Sequence, residues 1–501
     1  MCTAVADERA SGAPGRVIDG GPVLEPRRPT ELERIAIWFD RRTGFGRYAG
    51  TVLRKVFPDH WTFLLGEVAL FCFVILLATG VFMTFFYTPD SRSTTYHGPY
   101  APLDGTQVSA AFGSVMRLSF EVRAGLLMRQ IHHWTALVFL GSIAVHLARV
   151  FFTGAFRRPR DINWVVGVGL LLLALAEGFT GYSLPDDLLS GTGLRIAYSA
   201  AISIPLIGPW LASLIFGGEF PTLDLISRLF VFHVMLFPGL LIAGIGTHLL
   251  FVFVQSHTQY KGGTRREDNV VGQPFWPGQV FRSVGLLFMT AAVISLIAGL
   301  IQINPIWLYG PFIPYAVSSP AQPDWYVGWL EGALRLGLPI EPTILGVTIP
   351  APFIPGVVIP TILITGLLLW PFIEARLTHD RAEHHLLDWP WESPVRVATG
   401  AAAISLFLVF TLAGGNDVIG VFLNVPVESL TMVFRVLLVV LPVGTWVAIY
   451  WLASARRRRG EVERAVETAP GGIALRRTPD GGFQEVEGSP GGQPTQGGPP
   501  A

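Results

Sequence analysis

Two apolar stretches of the sequence each carry a pair of histidines at nearly the same interval. His132 and His146 are 14 residues apart, and His233 and His248 are 15 apart. On a helix, either interval leaves both members within about 40–60° of the same face and about 21–22 Å apart along the axis. Neutral imidazole is a good iron ligand. If both stretches are helices that run in the same direction, the pattern indicates two layers of facing imidazoles, which suits two six-coordinate b haems stacked along the helix axes.

Other interpretations of these histidines remain open at this point. A histidine inside a membrane helix also occurs as a hydrogen-bonded packing residue, or as a proton relay in a transporter without metal. Zinc favours a closer tetrahedral set with thiolate or carboxylate ligands, which neither stretch provides. The neighbouring His133 lies about 140° around the helix from His146, so we expect it to face elsewhere.

Glycines repeat the 14-residue interval in two further apolar stretches. Gly66 and Gly80 form one pair, and Gly167 and Gly181 form the other. A haem wedged into a helix bundle needs backbone without side chains at its own depth, and glycine supplies that. Two glycine pairs that match the histidine interval favour the two-haem interpretation.

Two arginines flank the first histidine pair. Arg129 lies one turn before His132, and Arg149 lies three residues after His146. Either side chain could neutralise haem propionates, although arginines also snorkel to the membrane interface without a ligand. We include Trp164 with these arginines among the candidate cofactor-binding residues.

Composition assigns the 501-residue chain to a membrane. It is 51% hydrophobic and 14% charged, whereas soluble domains are usually about a quarter charged. The net charge is zero, which argues against a nucleic-acid partner. Its two cysteines form neither CxxC nor CxxCH, which excludes a zinc ribbon and a covalently attached c-type haem.

The fold class predicted from the apolar runs is all-α and polytopic, with eight transmembrane helices, of which the first four form a dihaem bundle. Arginine and lysine are concentrated in alternate connections, so both termini are predicted to be cytoplasmic. The eight runs lie at 61–87, 124–150, 162–184, 228–254, 281–301, 353–373, 395–413 and 429–452.

Composition shifts divide the chain into five predicted segments. The two tails are poor in apolar residues and are predicted to be disordered and cytoplasmic. A basic amphipathic segment is predicted to lie on the membrane surface. In chain order the segments are a tail 1–28, a surface helix 29–58, a dihaem N-terminal domain 59–260, a C-terminal domain 261–455, and a tail 456–501.

Over residues of about 30 to 455 the chain resembles the cytochrome b subunit of quinol–cytochrome c oxidoreductases, which are translocases of the EC 7.1.1 class. The resemblance includes the histidine and glycine pairs and the motifs RQIHHW, GYSLP, SIPLIGPWLASLIFGG, RLFVFH and PDWY. The 15-residue gap is similar to the photosynthetic and Gram-positive branches, and the segment DRAEHHLLDWPWESPVRVATG, the length and the arginine bias are similar to the actinobacterial branch. That branch implies menaquinol as the electron donor and a bacterial cell membrane as the location.

The resemblance implies a reaction and partners. Quinol is oxidised at the outer face; one electron goes to a Rieske iron–sulfur subunit, and the other crosses two haems to an inner quinone. His132 and His233 would hold the low-potential haem, and His146 and His248 the high-potential one. A c-type cytochrome subunit, a second copy of the complex and a terminal oxidase are the further partners that the family implies. The reaction would contribute to the proton-motive force.

The outer quinol loop is expected at PDWY. The family usually has Pro-Glu-Trp-Tyr there, and Asp324 replaces that glutamate with a side chain one methylene shorter. A carboxylate at this place can accept a quinol proton. Glu331 could share the proton transfer, and Tyr326 would hydrogen-bond near the quinol ring or the Rieske partner.

The inner quinone site is less clearly defined by the sequence. The family's usual acid at the start of the fifth helix is missing, and the candidates are His257, Lys261, Glu67 and Arg282. Glu177 is an unexpected acid within the third helix, with either a proton-exit role or a simple pairing role. Two rival classes are a metal-free transporter, for which the sequence shows no internal repeat, and a dihaem anchor of a dehydrogenase or hydrogenase, which would need neither PDWY nor helices five to eight.

Overall fold

A computed structural model of the chain describes residues 30–316, 322–468, 473–477 and 483–487. The predicted tail 1–28 lies outside these residues.

The chain forms two units, the first ending at Lys55. The described part of the first unit contains the helices Glu31–Thr43 and Phe45–Arg54, which are separated by Gly44 in a left-handed conformation (φ +65°). The predicted surface segment is thus two helices, and its placement on a membrane stays a prediction.

The second unit contains eight helices, among the residues described, that are long and apolar enough to cross a bilayer. The predicted all-α polytopic fold is confirmed. The fifth helix begins at Phe275 rather than at residue 281, and the eighth continues beyond residue 452. We number these spanning helices first to eighth: Trp61–Thr84, Gly125–Phe152, Asp161–Ser183, Leu225–Val254, Phe275–Leu300, Ile354–Thr378, Pro394–Gly414 and Val427–Glu461.

The fourth spanning helix contains a local irregularity at its first histidine. Phe232–Leu236 forms a π-helical turn that includes His233. Pro238 lies two residues after this turn, and because proline has no backbone N–H it cannot form the ordinary α-helical hydrogen bond to Val234. A π turn accommodates one extra residue. It therefore compensates for the longer histidine interval in this helix, which is 15 residues instead of 14.

Short elements connect the spanning helices. The helices are Ala110–Phe120, Leu188–Ile202, Gly208–Phe216, Ile306–Tyr309, Trp325–Leu336 and Asn416–Leu423, with 3-10 turns at Ala101–Leu103 and Pro390–Glu392. The strands form two-stranded pairs: Val56–Pro58 with Gly272–Pro274, Ser93–Thr95 with Gln107–Ser109, Gln259–Tyr260 with Leu386–Leu387, and Thr343–Ile344 with Val347–Thr348.

Contacts among the connections show which of them lie at the same end of the spanning helices. The stretch before the first spanning helix pairs with the fourth-to-fifth connection, which in turn pairs with the sixth-to-seventh connection. Arg157, in the second-to-third connection, lies 3.0 Å from Asp388 in the sixth-to-seventh. At the other end, Asp187 forms a bridge to Pro311, joining the third-to-fourth and fifth-to-sixth connections. The arginine-rich connections of the second unit therefore lie together, which supports alternating spans.

The described part of the predicted C-terminal tail, 456–501, contains the end of a helix and two strands. The eighth spanning helix belongs to a continuous helix, Val427–Thr468. Arg457 pairs with Glu461 one turn later at 2.9 Å, and such a pair favours continuation of the helix. Beyond it, the strands Ile473–Arg477 and Phe483–Glu487 pair antiparallel. The rest of the predicted tail lies outside the described residues.

The helix Trp325–Leu336, which we call the loop helix, packs closely against the seventh spanning helix. A Cβ atom added at Gly332 would overlap the backbone oxygen of Phe410, and one added at Gly414 would overlap that of Gly328. Small residues allow this approach of two backbones in a membrane protein. The contact fixes the position of the loop helix, and with it the PDWY motif at its start.

We predict that Gly332→Ala lowers stability by about 3 kcal/mol or more, because the backbone of the seventh helix cannot yield as a side chain would. Thermal unfolding in detergent would measure it. Gly366→Ala is the matched control: it lies inside the sixth spanning helix with no atom within 4 Å of an added Cβ, and we expect it to be neutral or slightly stabilising. Equal melting temperatures for the two variants would contradict the account of this contact.

Candidate functional site

The four predicted histidines form two facing pairs. The ring centroids of His132 and His233 are 6.1 Å apart, and those of His146 and His248 are 6.4 Å apart. Following the predicted orientation, we call them the outer pair and the inner pair. One imidazole of each pair comes from the second spanning helix and the other from the fourth.

Each imidazole lies against one of the four predicted glycines. A Cβ added at Gly80 would lie 3.4 Å from His132, and one added at Gly181 would overlap the His233 ring. The inner pair repeats this arrangement: a Cβ at Gly66 would lie 3.2 Å from His146, and one at Gly167 would lie 3.5 Å from His248. The first and third spanning helices thus present bare backbone at the depths where the second and fourth present imidazoles.

The spacing of both pairs fits a metal bound between the rings. A metal–imidazole bond is about 2.0 Å long, so an ion held by one nitrogen of each ring needs centroids about 6 Å apart. The part of the chain that the structure describes contains no group of three or more histidine, cysteine or acidic side chains that could hold a metal ion. Two axial imidazoles suit a metal whose other ligands belong to a macrocycle.

The surroundings of the pairs also fit a buried anionic cofactor. Among the described residues, Arg129 and Arg149 each have Nε and Nη2 buried without a hydrogen-bond partner. The Nη1 of Arg129 donates to the carbonyl of Asn304 at 3.1 Å, and the Arg149 guanidinium lies 4.3 Å from the Phe63 ring centre. Buried guanidinium nitrogens normally have acceptors, so these are available to carboxylates of a ligand.

A cavity of about 760 Å³ surrounds the inner pair. Gly66 and Gly167 line it together with Arg149 and Trp164, whose indole N–H donates to the carbonyl of Leu367 at 2.9 Å. Three of the four inner-quinone candidates line the same cavity, namely Glu67, His257 and Arg282.

The fourth inner candidate, Lys261, is engaged elsewhere. It donates to Glu392 at 2.5 Å and to Asp388 at 3.4 Å, both in the sixth-to-seventh connection. Glu67 accepts hydrogen bonds from Gln279 and Ser283 of the fifth spanning helix, both at 2.7 Å.

Asp324 is held by two side chains at the start of the loop helix. His133 Nε2 lies 3.0 Å from each carboxylate oxygen of Asp324, and the Tyr326 hydroxyl donates to Asp324 at 3.2 Å. Burial, with Asp324 beside it, raises the pKa of Tyr326 well above its usual value, so Tyr326 stays a donor. A Cβ added at Gly178 would lie 2.9 Å from the Tyr326 hydroxyl oxygen, so this cluster also contacts the third spanning helix close to Glu177.

Glu331 lies apart from this cluster, in an ion pair. Arg335 donates to Glu331 at 2.5 Å and also lies 2.9 Å from Asp417. Burial raises the pKa of Glu331, and Arg335 partly offsets that effect. The other carboxylate oxygen of Glu331 is buried with no hydrogen-bond partner within the described part of the chain.

Sequence reasoning missed the partner of His133 and left Glu177 unassigned. The predicted helical phase correctly turned His133 away from the inner pair, but nothing in the sequence indicated Asp324, 191 residues away, as its partner. Glu177 Oε1 lies 3.1 Å from Nδ1 of His233. The helical phase could have shown only that Glu177 and Gly181, one turn apart, share a face.

Histidines and glycines lie at two matched depths on four helices of an eight-span membrane protein. This arrangement is typical of a cytochrome b, which is an electron carrier. Comparison with known proteins agrees. Residues 137–311 match the family described as "Cytochrome b(N-terminal)/b6/petB". The fold is similar to a chain of a hyperthermophilic respiratory complex III, with a TM-score of 0.60 and 19% identity over 84% of this chain and all of that one.

Sequence relatives narrow the class to one family. The chain is 42% identical to the cytochrome bc1 complex cytochrome b subunit of Streptomyces coelicolor, over 91% of this chain and 83% of that one. It is 47% identical to the subunit of that name in Mycobacterium tuberculosis H37Rv, over 87% and 79% respectively. The chain belongs to the cytochrome b subunits of cytochrome bc1 complexes, so it is a subunit of a quinol–cytochrome c oxidoreductase. The family implies haem b, and the predicted resemblance to actinobacterial members is confirmed.

We predict that the His133–Asp324 contact contributes a coupling energy of about 1.5–3 kcal/mol to stability, because both side chains are over four-fifths buried and one is a carboxylate. A double-mutant cycle with His133→Phe and Asp324→Leu, followed by unfolding in detergent, would measure it. The exposed pair Arg92–Asp90, at 3.9 Å, is the control, with at most about 0.5 kcal/mol expected. A His133–Asp324 coupling as small as that of the control pair would contradict this assignment.

Proposed function

We propose that His132 and His233 hold one haem b near the outer face, and that His146 and His248 hold a second near the inner face. The observation that carries the proposal is the pair of facing imidazoles at each depth, each ring opposed by a glycine of a neighbouring helix. Neither packing histidines nor a proton relay requires the matched glycines. When bound, haem supplies a one-electron carrier at each depth.

Other side chains would complete these two sites. The unpartnered guanidinium nitrogens of Arg129 and Arg149 would donate hydrogen bonds to the propionates, one arginine at each end of the bundle. Trp164 would pack at the inner site, with its indole oriented by the hydrogen bond to the sixth spanning helix. Because these arginines are buried, they would also balance the negative charge of the cofactor in a medium of low polarity.

The quinol oxidation site would lie at Asp324. Its carboxylate accepts a proton from a quinol hydroxyl as the general base, and His133, whose Nε2 lies 3.0 Å away, holds the carboxylate in place by donating its Nε2–H. Tyr326 keeps the carboxylate oriented through its own hydrogen bond. Glu331, in its ion pair with Arg335, would contribute its unpartnered oxygen as a hydrogen-bond acceptor rather than as a second base.

Quinol oxidation releases two electrons and two protons. One electron would leave for a Rieske iron–sulfur subunit, and the other would enter the bundle at the outer pair and leave it at the inner pair. Glu67, His257 and Arg282, around the inner cavity, would bind the quinone that receives it. Moving one charge across the membrane stores about 2.3 kcal/mol per 100 mV, which is how the reaction would support the proton-motive force.

The likeness to actinobacterial subunits supports further assignments. We propose menaquinol as the donor, the bacterial cell membrane as the location, and a c-type cytochrome subunit as the acceptor of the Rieske electron. Two copies would pair in the complex, and a terminal oxidase would join it. The arginine-rich connections at one end of the second unit support a cytoplasmic location for both termini.

We predict that His146→Leu halves the haem content, from two b haems per chain to one, since only the inner pair loses a ligand. Pyridine haemochrome analysis of the purified complex would measure this. His97→Leu is the control, because this histidine is exposed and distant from both pairs in sequence, and it should leave two haems. A His146→Leu complex that still contains two haems of unchanged spectrum would contradict the assignment.

We predict that Asp324→Asn lowers the turnover of quinol oxidation by at least about 100-fold, because an amide cannot accept the quinol proton. The haem spectrum should stay unchanged. Glu341→Gln, at an exposed acid in the same fifth-to-sixth connection, should keep wild-type turnover. Steady-state reduction of cytochrome c by a soluble menaquinol analogue measures both variants. Turnover of Asp324→Asn within threefold of wild type would exclude Asp324 as the base.

A further inference from the structure

The second ring nitrogens of the four histidines have unequal environments. In the outer pair, Nδ1 of His233 lies 3.1 Å from Oε1 of Glu177 and 3.1 Å from the backbone oxygen of the same residue. Both side chains are more than four-fifths buried. Glu177 therefore directs a carboxylate at His233 from the third spanning helix.

None of the other three histidines has a carboxylate at Nδ1 within the described residues. Nδ1 of His132 pairs with the Thr79 hydroxyl at 2.9 Å, and that hydroxyl already donates to the carbonyl of Ile75, so it acts as a neutral acceptor. Among the described residues, Nδ1 of His146 and Nδ1 of His248 have no side-chain hydrogen-bond partner. The outer pair thus has a carboxylate at one ring and a hydroxyl at the other, and the inner pair has neither.

This difference has a direct chemical consequence for a bound metal. An imidazole that donates its Nδ1–H to a carboxylate keeps Nε2 as the metal ligand and becomes a stronger electron donor. A stronger donor stabilises ferric iron more than ferrous iron. A carboxylate that accepts the Nδ1–H of His233 would also place negative charge beside the site, which acts in the same direction because the oxidised site carries one more positive charge.

We propose that Glu177 is a positioning residue that fixes the tautomer of His233 and lowers the midpoint potential of the outer haem relative to the inner one. The inference rests on the proposed haem ligands. In this proposal the chain itself sets the direction of electron transfer. An electron that enters at the outer pair moves to the inner pair, which has no carboxylate beside it and a higher affinity for the electron. The unassigned acid of the third helix thereby has a role within the membrane.

The test is a redox titration of the purified complex that carries Glu177→Gln, with the α-band followed for both haems. Glutamine keeps the shape and an oxygen acceptor but removes the charge. We expect the equilibrium constant for reduction of the outer haem to rise at least tenfold, which is about 59 mV for a one-electron couple. The midpoint of the inner haem should stay constant.

Thr180→Val is the matched control on the same histidine. The Thr180 hydroxyl is 3.5 Å from Nδ1 of His233 and donates instead to its own helix at the carbonyls of Ala176 and Glu177. Its removal should change the outer equilibrium constant less than twofold. The titration of His146→Leu, which should keep the outer haem alone, assigns the two components of the curve.

The outcomes separate this inference from the proposed function. Two haems in the wild-type complex and a selective tenfold shift in Glu177→Gln support both. Two haems with an outer midpoint that moves no more in Glu177→Gln than in Thr180→Val overturn the role of Glu177 and leave the haem ligands standing. A wild-type complex without two haems overturns the proposed function itself. If Glu177→Gln does not assemble, Glu177→Asp replaces it: the shorter carboxylate should raise the outer midpoint, and an unchanged value overturns the role of Glu177.

Discussion

Everything in the bundle depends on one geometric constraint: two depths inside the membrane must each hold a pair of imidazoles about 6 Å apart with no side chain opposite them. Two helices satisfy it with histidine and two with glycine, all at intervals of 14 or 15 residues. Where the interval is 15, a π turn at His233 absorbs the extra residue. A larger residue at any of the four glycines would meet an imidazole, so these positions are fixed by contact rather than by helix propensity.

The second requirement is that the loop carrying Asp324 be held beside the outer pair. The loop helix meets the seventh spanning helix through backbone contacts at Gly332 and Gly414, and it reaches the second through His133 and Asp324. His133 directly follows His132, the proposed outer ligand. Under the proposed function, proton acceptance and electron entry would therefore take place at adjacent residues of one helix.

The eight spans, the two histidine layers and the matching glycines could be predicted from the sequence, because each follows from a repeat within one helix. The contacts of His133 and Glu177 could not, since they join residues 191 and 56 positions apart that meet only after the helices pack. The ion pair of Glu331 depends likewise on Arg335 and on the distant Asp417. The eighth helix continues past its apolar run into a charged stretch where Arg457 and Glu461 form an ion pair, which an apolar pattern cannot indicate. Repeats within one helix thus predict how deep a residue lies and which face of the helix carries it. They do not predict which polar side chain of another helix it contacts.

The central claim is that this chain carries electrons across the membrane through two b haems, one at each histidine pair. A redox-titrated difference spectrum of the purified wild-type complex, with haem counted per cytochrome b polypeptide, tests it most directly. The account predicts two b haems per chain that titrate as two separate one-electron components. A single haem, or none, would contradict it.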